Sequence, residues 1–151
     1  MKKKELAVAA LERGTVIDHI PSAALFKAVK LLGLETVDKS VTIGCNLASS
    51  KLGTKGIIKV ADTIFPDEVI NRIAIIAPSA VVNIIEDYEV VKKEPVKLPD
   101  EIVNLVNCSN AKCISRNEPM KSRFNVISRN PVTLRCRYCD HEILGDKADL
   151  K

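Results

Sequence analysis

The sequence predicts an α+β protein in two parts. Residues 1–97 alternate strand-like and helix-like segments, while residues 98–151 hold only short strand-like ones. Between them, "KKEPVKLPD" at residues 92–100 places Pro95 and Pro99 among charges, the composition of a short, stiff connector. Four of the five cysteines lie beyond it, and Cys45 lies before it.

In the first part, "LAVAAL" and "TVI" read as strand, interrupted at "ERG", where Gly14 suits a bulge or tight turn. "PSAALFKAVKLLG" reads as helix. Ser22 is placed to cap its start, Leu25, Val29 and Leu32 share one face, and Gly33 suits its C-terminal cap. "VTIGCNL" alternates, with Val41, Ile43, Cys45 and Leu47 on one face. Cys45 then reads as a small buried apolar side chain. After "SSKLGTKG", "IIKVA" is a further short strand. "PDEVINRIAIIAP" is the second helix: Pro66 fits its first turn, Asp67 and Glu68 complement its dipole, and Pro78 stops it. "AVVNII" and "YEVV" close as strand. The order β-α-β-β-α-β is that of a ferredoxin-like domain, one antiparallel sheet with both helices on one face. In the second part, "IVNLV", "RFNVIS", "VTLRC" and "EIL" read as the strands of a small all-β domain.

Hydrophobic residues make up 46% of the chain, enough for a packed core, but aromatics only 3% with no Trp, so the core rests on aliphatic side chains. The formal charge of +4 is a mild bias. No run of 18 apolar residues exists, and "MKKKELAVAALERG" lacks a signal-peptide core. A cytoplasmic protein is expected, with no membrane partner. In a reducing compartment cysteines favour metal ligation over disulfides.

Four residues separate Cys108 from Cys113, two separate Cys136 from Cys139, and twenty-two lie between the pairs. Each pair is spaced for a tight turn that aims both sulfurs inward, and two such knuckles make a closed tetrahedral site suited to one structural Zn²⁺, with iron as the competing metal. The segment is too short and too poor in large apolar residues to fold without such a staple. His141 follows the second knuckle, but four sulfurs complete the site, so it reads as a surface neighbour.

"TVIDHI" poses the question of catalysis. Asp18 and His19 resemble half of an acid–base pair, yet neighbours on a strand point to opposite faces and cannot bond unless the chain turns there. No nucleophile accompanies them. Lys59 in "IIKVA", Asn83 in "VVNII" and Lys93 after "YEVV" also interrupt apolar strands. One sheet could bring these five together, offering cations to phosphates and a carboxylate to ribose hydroxyls.

The ordered set "RGTVIDHIP", "TIGCNL", "APSAVVN" with "DYEVV", and "CSNAKCISRNEP…CRYC" resembles the regulatory chain of aspartate carbamoyltransferase over almost the whole length. The resemblance implies a noncatalytic subunit with no catalytic residues of its own. Residues 1–97 would form a nucleotide-binding allosteric domain, and 98–151 a zinc domain contacting the catalytic chain. It implies that CTP, ATP and UTP act as effectors, and that three regulatory dimers join two catalytic trimers in pyrimidine biosynthesis. By the same resemblance Asp18 meets ribose, His19 lies by the phosphates, Lys93 pairs with phosphate, and Lys59 reaches ribose and base. Asn83 is a further contact. Ala10, Leu11, Ile85 and Tyr88 line the base pocket through backbone groups, and Val16 and Val90 are apolar walls. Cys108, Cys113, Cys136 and Cys139 are the zinc ligands. The chain departs from well-studied bacterial members at Ala9, where they carry an acid, and in the "SSKLGTKG" loop, although Lys55 falls where a lysine is common. The competing class is a zinc-ribbon nucleic-acid-binding protein, suggested by the more basic C-terminal third and "RCRYC". The scarcity of aromatics for stacking bases argues against it, and no nucleic-acid partner is expected.

Overall fold

The computed structural model describes residues 11–150. Most of "LAVAAL", together with Ala9 and Ala10, lies outside the described residues. The chain divides into two compact units, 1–96 and 97–151.

The first unit runs β1 (Gly14–Pro21), a 3-10 turn (Ser22–Ala24), α1 (Leu25–Leu31), a second 3-10 turn (Leu34–Thr36), β2 (Val41–Ser49), β3 (Gly53–Ala61), α2 (Asp67–Ile76), β4 (Val81–Glu86) and β5 (Glu89–Pro95). Every neighbouring pair in the sheet β2-β3-β1-β4-β5 is antiparallel. Strands β2-β3-β1-β4 with α1 and α2 make the ferredoxin-like plan, and β5 extends it at one edge.

Strand alternation divides the sheet into two faces. Thr15 and Ile17 of β1 and Ile58 and Val60 of β3 point to one face, where they are buried with Leu25 and Ala28 of α1 and Ile73 and Ala74 of α2. Each fully buried Ile or Leu contributes about 1.5–3 kcal/mol of apolar burial. Gly56 lets α1 approach, since a Cβ there would stand 2.7 Å from Leu25 Cδ1. Gly14 starts β1 with a φ of +140°, and a Cβ would collide with the Val60 carbonyl. Val16, Asp18, Ile57, Lys59, Asn83 and Ile85 occupy the other face.

Several local expectations change. The first helix is shorter than read: its first turn is 3-10, and the Ser22 hydroxyl donates to Thr54 Oγ1 at 3.1 Å rather than capping the helix. Gly33 does end it, at φ +65°. Pro66 stands just before α2, whose first turn carries Asp67 and Glu68. Cys45 is exposed, because β2 takes in an extra residue between Gly44 and Leu47, with Asn46 left-handed at φ +59°, and the alternation breaks there. The stretch 92–95 is strand, not connector, and it pairs with β4 from Val81↔Pro95 to Ile84↔Lys92.

The second unit is built on β6 (Glu101–Val103), β7 (Val106–Asn107), a single turn of helix α3 (Ile114–Asn117), β8 (Arg123–Arg129), β9 (Val132–Cys136), β10 (Glu142–Leu144), a 3-10 turn (Gly145–Lys147) and β11 (Asp149–Leu150). It forms a sheet β10-β9-β8-β6 and a pair β11-β7. Strands dominate, as expected; "IVNLV" splits into β6 and β7 at Asn104, φ +58°. The core is Ile102, Val106, Phe124, Val132 and Leu134 together with Cys108, Cys113 and Cys136.

Candidate functional site

The helix-free face of the first sheet carries a cavity of about 280 Å³, lined by Val16, Asp18, His19, Ile57, Lys59, Val81, Asn83, Ile85, Val90 and Lys93. Register explains the gathering. Val16 of β1 sits opposite Lys59 of β3 and Asn83 of β4, and Asn83 sits opposite Lys93 of β5, so one row crosses four strands. The next rows add Asp18↔Val81 and Ile85↔Val90. Val16, Ile57 and Ile85 form a buried apolar floor, with Leu11 packed against it.

Asp18 and His19 reach this cavity together because β1 bulges. Its register with β3 slips between Ile17 and Ile20, and His19 adopts φ +60°. That is uncommon for a residue with a side chain and brings two neighbours to one side. Ser79 Oγ donates to the His19 carbonyl at 2.8 Å and fixes the bulge. The pair is not an acid–base dyad: His19 Nδ1 lies 3.8 Å from Asp18 Oδ2, outside hydrogen-bond range. Nδ1 is buried and has no hydrogen-bond partner among the described residues. Asp18 Oδ1 instead accepts from the His19 N–H at 2.6 Å and from Lys55 Nζ at 2.9 Å. Burial lowers the Lys59 ammonium below its ordinary value, and the charge of Asp18 partly restores it. Cations, one carboxylate and an amide thus surround an apolar floor.

Of the residues singled out in the sequence, Val16, Asp18, His19, Lys59, Asn83, Ile85, Val90 and Lys93 line this cavity; Leu11 packs against its floor. Tyr88 is 66% exposed at the tip of the β4–β5 hairpin, where it and Asp87 both have positive φ, and it does not line the cavity. Ala10 is outside the described residues. Ile57 and Val81 were not singled out, yet each stands two residues from a polar site candidate, Lys59 and Asn83, on the same strand and so on the same face. A second, larger cleft of about 420 Å³ runs along Arg13, Ile64, Ile84, Glu86 and Val91. Its charged residues, Arg13, Asp62, Glu86 and Lys92, are two of each sign and give no net attraction for an anion, so volume alone does not make it the better site.

In the second unit the Sγ atoms of Cys108, Cys113, Cys136 and Cys139 all lie within 4.8 Å of one another. The Cys108–Cys139 and Cys113–Cys136 distances are both 3.6 Å. That is far too long for a disulfide of about 2.05 Å. It fits the edge of a sulfur tetrahedron about a metal held at about 2.3 Å. The donor set therefore fits a metal ion. Desolvation pushes the Cys108 thiol up to about 12 and raises Cys136. At Cys139 desolvation also raises it, but hydrogen bonds from Asn110, the His141 N–H and the neighbouring thiols outweigh this and bring it to about 7. A bound cation would favour thiolates at all four. Arg116 donates to the Cys108 carbonyl at 3.0 Å and Asn117 to the Cys113 carbonyl at 2.9 Å, so α3 braces the first knuckle. The His141 side chain is exposed, and its carbonyl accepts from the Cys136 N–H at 2.9 Å.

These two sites can be set beside known proteins. The profile of the aspartate carbamoyltransferase regulatory chain, allosteric domain, matches residues 6–97. That of the metal binding domain of the same chain matches residues 100–149. The chain belongs to the aspartate carbamoyltransferase regulatory chain family. Proteins named aspartate carbamoyltransferase regulatory chain from Parabacteroides distasonis and Bacteroides fragilis are 58% and 56% identical to it. The alignments cover 94% and 93% of this chain, and 92% of each relative. One from Thermococcus sibiricus is 47% identical over 91% of both chains. As a regulatory chain of aspartate carbamoyltransferase it is a noncatalytic subunit, with an allosteric domain, a metal-binding domain and a catalytic chain as partner. Among the described residues, no helix is long and apolar enough to cross a membrane.

The arginines on and just past the strands of the second unit, those of "RCRYC" among them, are engaged. Arg123 and Arg137 pair with Glu101, Arg129 with Asp100, and Arg135 with Glu142. They alternate with acids across the strands instead of forming a cationic stripe.

Proposed function

We propose that the cavity of the first unit is the allosteric nucleotide site, that CTP acts there as feedback inhibitor and ATP as competing effector, and that UTP is a co-inhibitor. The observation that carries this reading is the convergence of Asp18, His19, Lys59, Asn83 and Lys93 on one apolar floor. The volume of about 280 Å³ falls just below the usual range for ligand sites, about 300–1,000 Å³. It suits the nucleoside, with the triphosphate spread toward His19 and the exposed Lys93. Asp18 then accepts from ribose hydroxyls, Lys59 reaches ribose and base, Val16 and Val90 flank the base, and Ile85 and Leu11 support the floor beneath it. The domain assignments of residues 1–97 and 98–151 follow.

In the same reading the four cysteines hold one Zn²⁺, whose closed sulfur shell supplies folding energy rather than chemistry. Cys108, Cys113, Cys136 and Cys139 would each give one thiolate. The zinc domain grips the catalytic chain, the allosteric domain pairs with a second copy, and three such dimers join two catalytic trimers in the cytoplasm. Effectors work by binding one quaternary state more tightly than the other, with couplings of about 1–3 kcal/mol. The test is the catalytic rate with and without this chain across CTP, UTP and ATP. CTP is expected to slow and ATP to speed the assembled enzyme, with no effect on catalytic trimers alone. Equal responses with and without the regulatory chain would overturn the reading.

A further inference from the structure

We infer that Lys55 is a positioning residue that sets the sugar preference of this site by holding the Asp18 carboxylate, without touching the nucleotide itself. The inference rests on the nucleotide reading above. Lys55 Nζ meets Asp18 Oδ1 at 2.9 Å, and the His19 N–H meets the same oxygen at 2.6 Å. Two donors on one oxygen fix the plane of the carboxylate and direct its other oxygen, Oδ2, to an incoming hydroxyl. Lys55 does not line the cavity, whereas Asp18 does, so the ammonium stands behind the acid. The two side chains are only 20% and 21% exposed, so solvent screens their attraction less than it screens a surface pair.

The backbone builds this arrangement. Lys55 pairs with Pro21 of β1 and with Leu47 of β2, just past the bulge in each strand. The extra residue falls between Ile17 and Ile20, so Asp18 keeps its β4 partner Val81 but has no partner in register on β3, and its carboxylate meets Lys55 there. Without Lys55, a further cation that feels the Asp18 charge is Lys59. The carboxylate would turn that way, and Oδ2 would no longer be held for ribose. A misaimed acceptor loses the hydroxyl but leaves phosphate contacts untouched, which separates the role of Lys55 from that of Lys93.

The test is calorimetric titration of the assembled enzyme, as wild type, Lys55→Met and Lys55→Arg, with ATP, its 2′-deoxy and 3′-deoxy analogues, and AMP. Wild type is expected to prefer ATP over one of the deoxy analogues by about tenfold, the worth of one charge-assisted hydrogen bond. Lys55→Met should bring that ratio near one by weakening ATP alone. The ATP-to-AMP ratio, which reports the phosphates, should not move, and Lys55→Arg should restore the sugar preference. If Lys55→Met weakens ATP and its deoxy analogues equally, or narrows the ATP-to-AMP ratio, Lys55 is itself a phosphate ligand and the inference is wrong. An unchanged sugar preference in Lys55→Met also overturns it. A wild-type enzyme that binds none of these nucleotides overturns instead the function on which it rests.

Discussion

The first unit keeps its core and its candidate site on separate faces of one sheet, and the second does not separate them at all. In the first, Ile17, Leu25, Ile58 and Ile73 are fully buried on the helix side, while Asp18, Lys59, Asn83 and Lys93 stand on the other. A charge on the binding face can be removed and the aliphatic core remains. In the second, Cys108, Cys113 and Cys136 are as buried as Phe124 and Leu134, so the metal ligands are themselves core residues. A fifty-residue segment with so few large side chains depends on its staple. Damage to the site of the second unit is therefore damage to its fold, whereas damage to the site of the first is local.

The largest effect follows from that difference. Cys136→Ser, or stripping the metal with a mercurial and chelator, should unfold the second unit and abolish assembly with the catalytic chain. The first unit should keep its fold and its nucleotide affinity. The measurements are metal content per chain, sedimentation with catalytic trimers, and titration with CTP. A Cys136→Ser chain that assembles normally would remove the cysteines from the core role given to them. Loss of nucleotide binding in the same chain would show the two units to be less independent than their cores imply.

The next effect is confined to the binding face. Lys93 is exposed on β5 and carries no core contact, so Lys93→Ala should leave thermal stability within about 0.5 kcal/mol, as surface changes do. On the proposed nucleotide reading it removes one charge-assisted contact to the triphosphate, worth about 1.5–3 kcal/mol, so CTP and ATP should both weaken by about ten- to a hundredfold. Calorimetry with both nucleotides checks this. Unchanged affinities would place the phosphates elsewhere and make Lys93 a solvated edge residue.

The two units were also unequally legible. The alternation of "TVI" and "IIKVA" and the punctuation of the second helix by Pro66 and Pro78 carry the ferredoxin-like plan, because buried strands and amphipathic helices have distinct periods. The end of β5 does not show itself: all seven of its residues are exposed, and a solvated edge strand ending in Pro has the composition of a linker. Lys93 therefore reads as a site candidate just past the last strand, at the start of a connector, whereas it lies within β5 opposite Asn83. The Asp18–His19 geometry was hidden for a related reason. Periodicity assumes a regular strand, and the left-handed His19 that brings both side chains to one side is a property of the bulge. The cysteine spacing, by contrast, reports the metal cluster directly, since a tight turn between paired ligands is a local matter. The exposure of Cys45 was misread because the bulge at Asn46 breaks the alternation that would have buried it.

The smallest effect probes the cost of keeping charge on the binding face. Burial lowers the Lys59 ammonium below the ordinary lysine value, and the Asp18 charge offsets this only in part. A cation with a lowered folded pKa holds its proton less well folded than unfolded. Folding then bears a penalty that is complete below the folded pKa and is lifted as pH rises through it to the ordinary lysine value. Wild-type stability of the first unit should accordingly gain from this group in that alkaline window. Lys59→Met removes the charge, so its advantage over wild type should be present at neutral pH and shrink as pH climbs through the window. The gain should be small, about 1–3 °C in Tm for a fraction of a kcal/mol in a unit of this size, because the group is only half-buried. On the proposed nucleotide reading the same variant should bind CTP and ATP more weakly, since the stabilising change would remove the contact assigned there to ribose and base. Thermal unfolding of both chains from neutral to alkaline pH, paired with calorimetry, measures the two sides together. If Lys59→Met is less stable than wild type at neutral pH, its ammonium is a structural partner within the sheet. In that case the division between a folding face and a binding face fails at this residue.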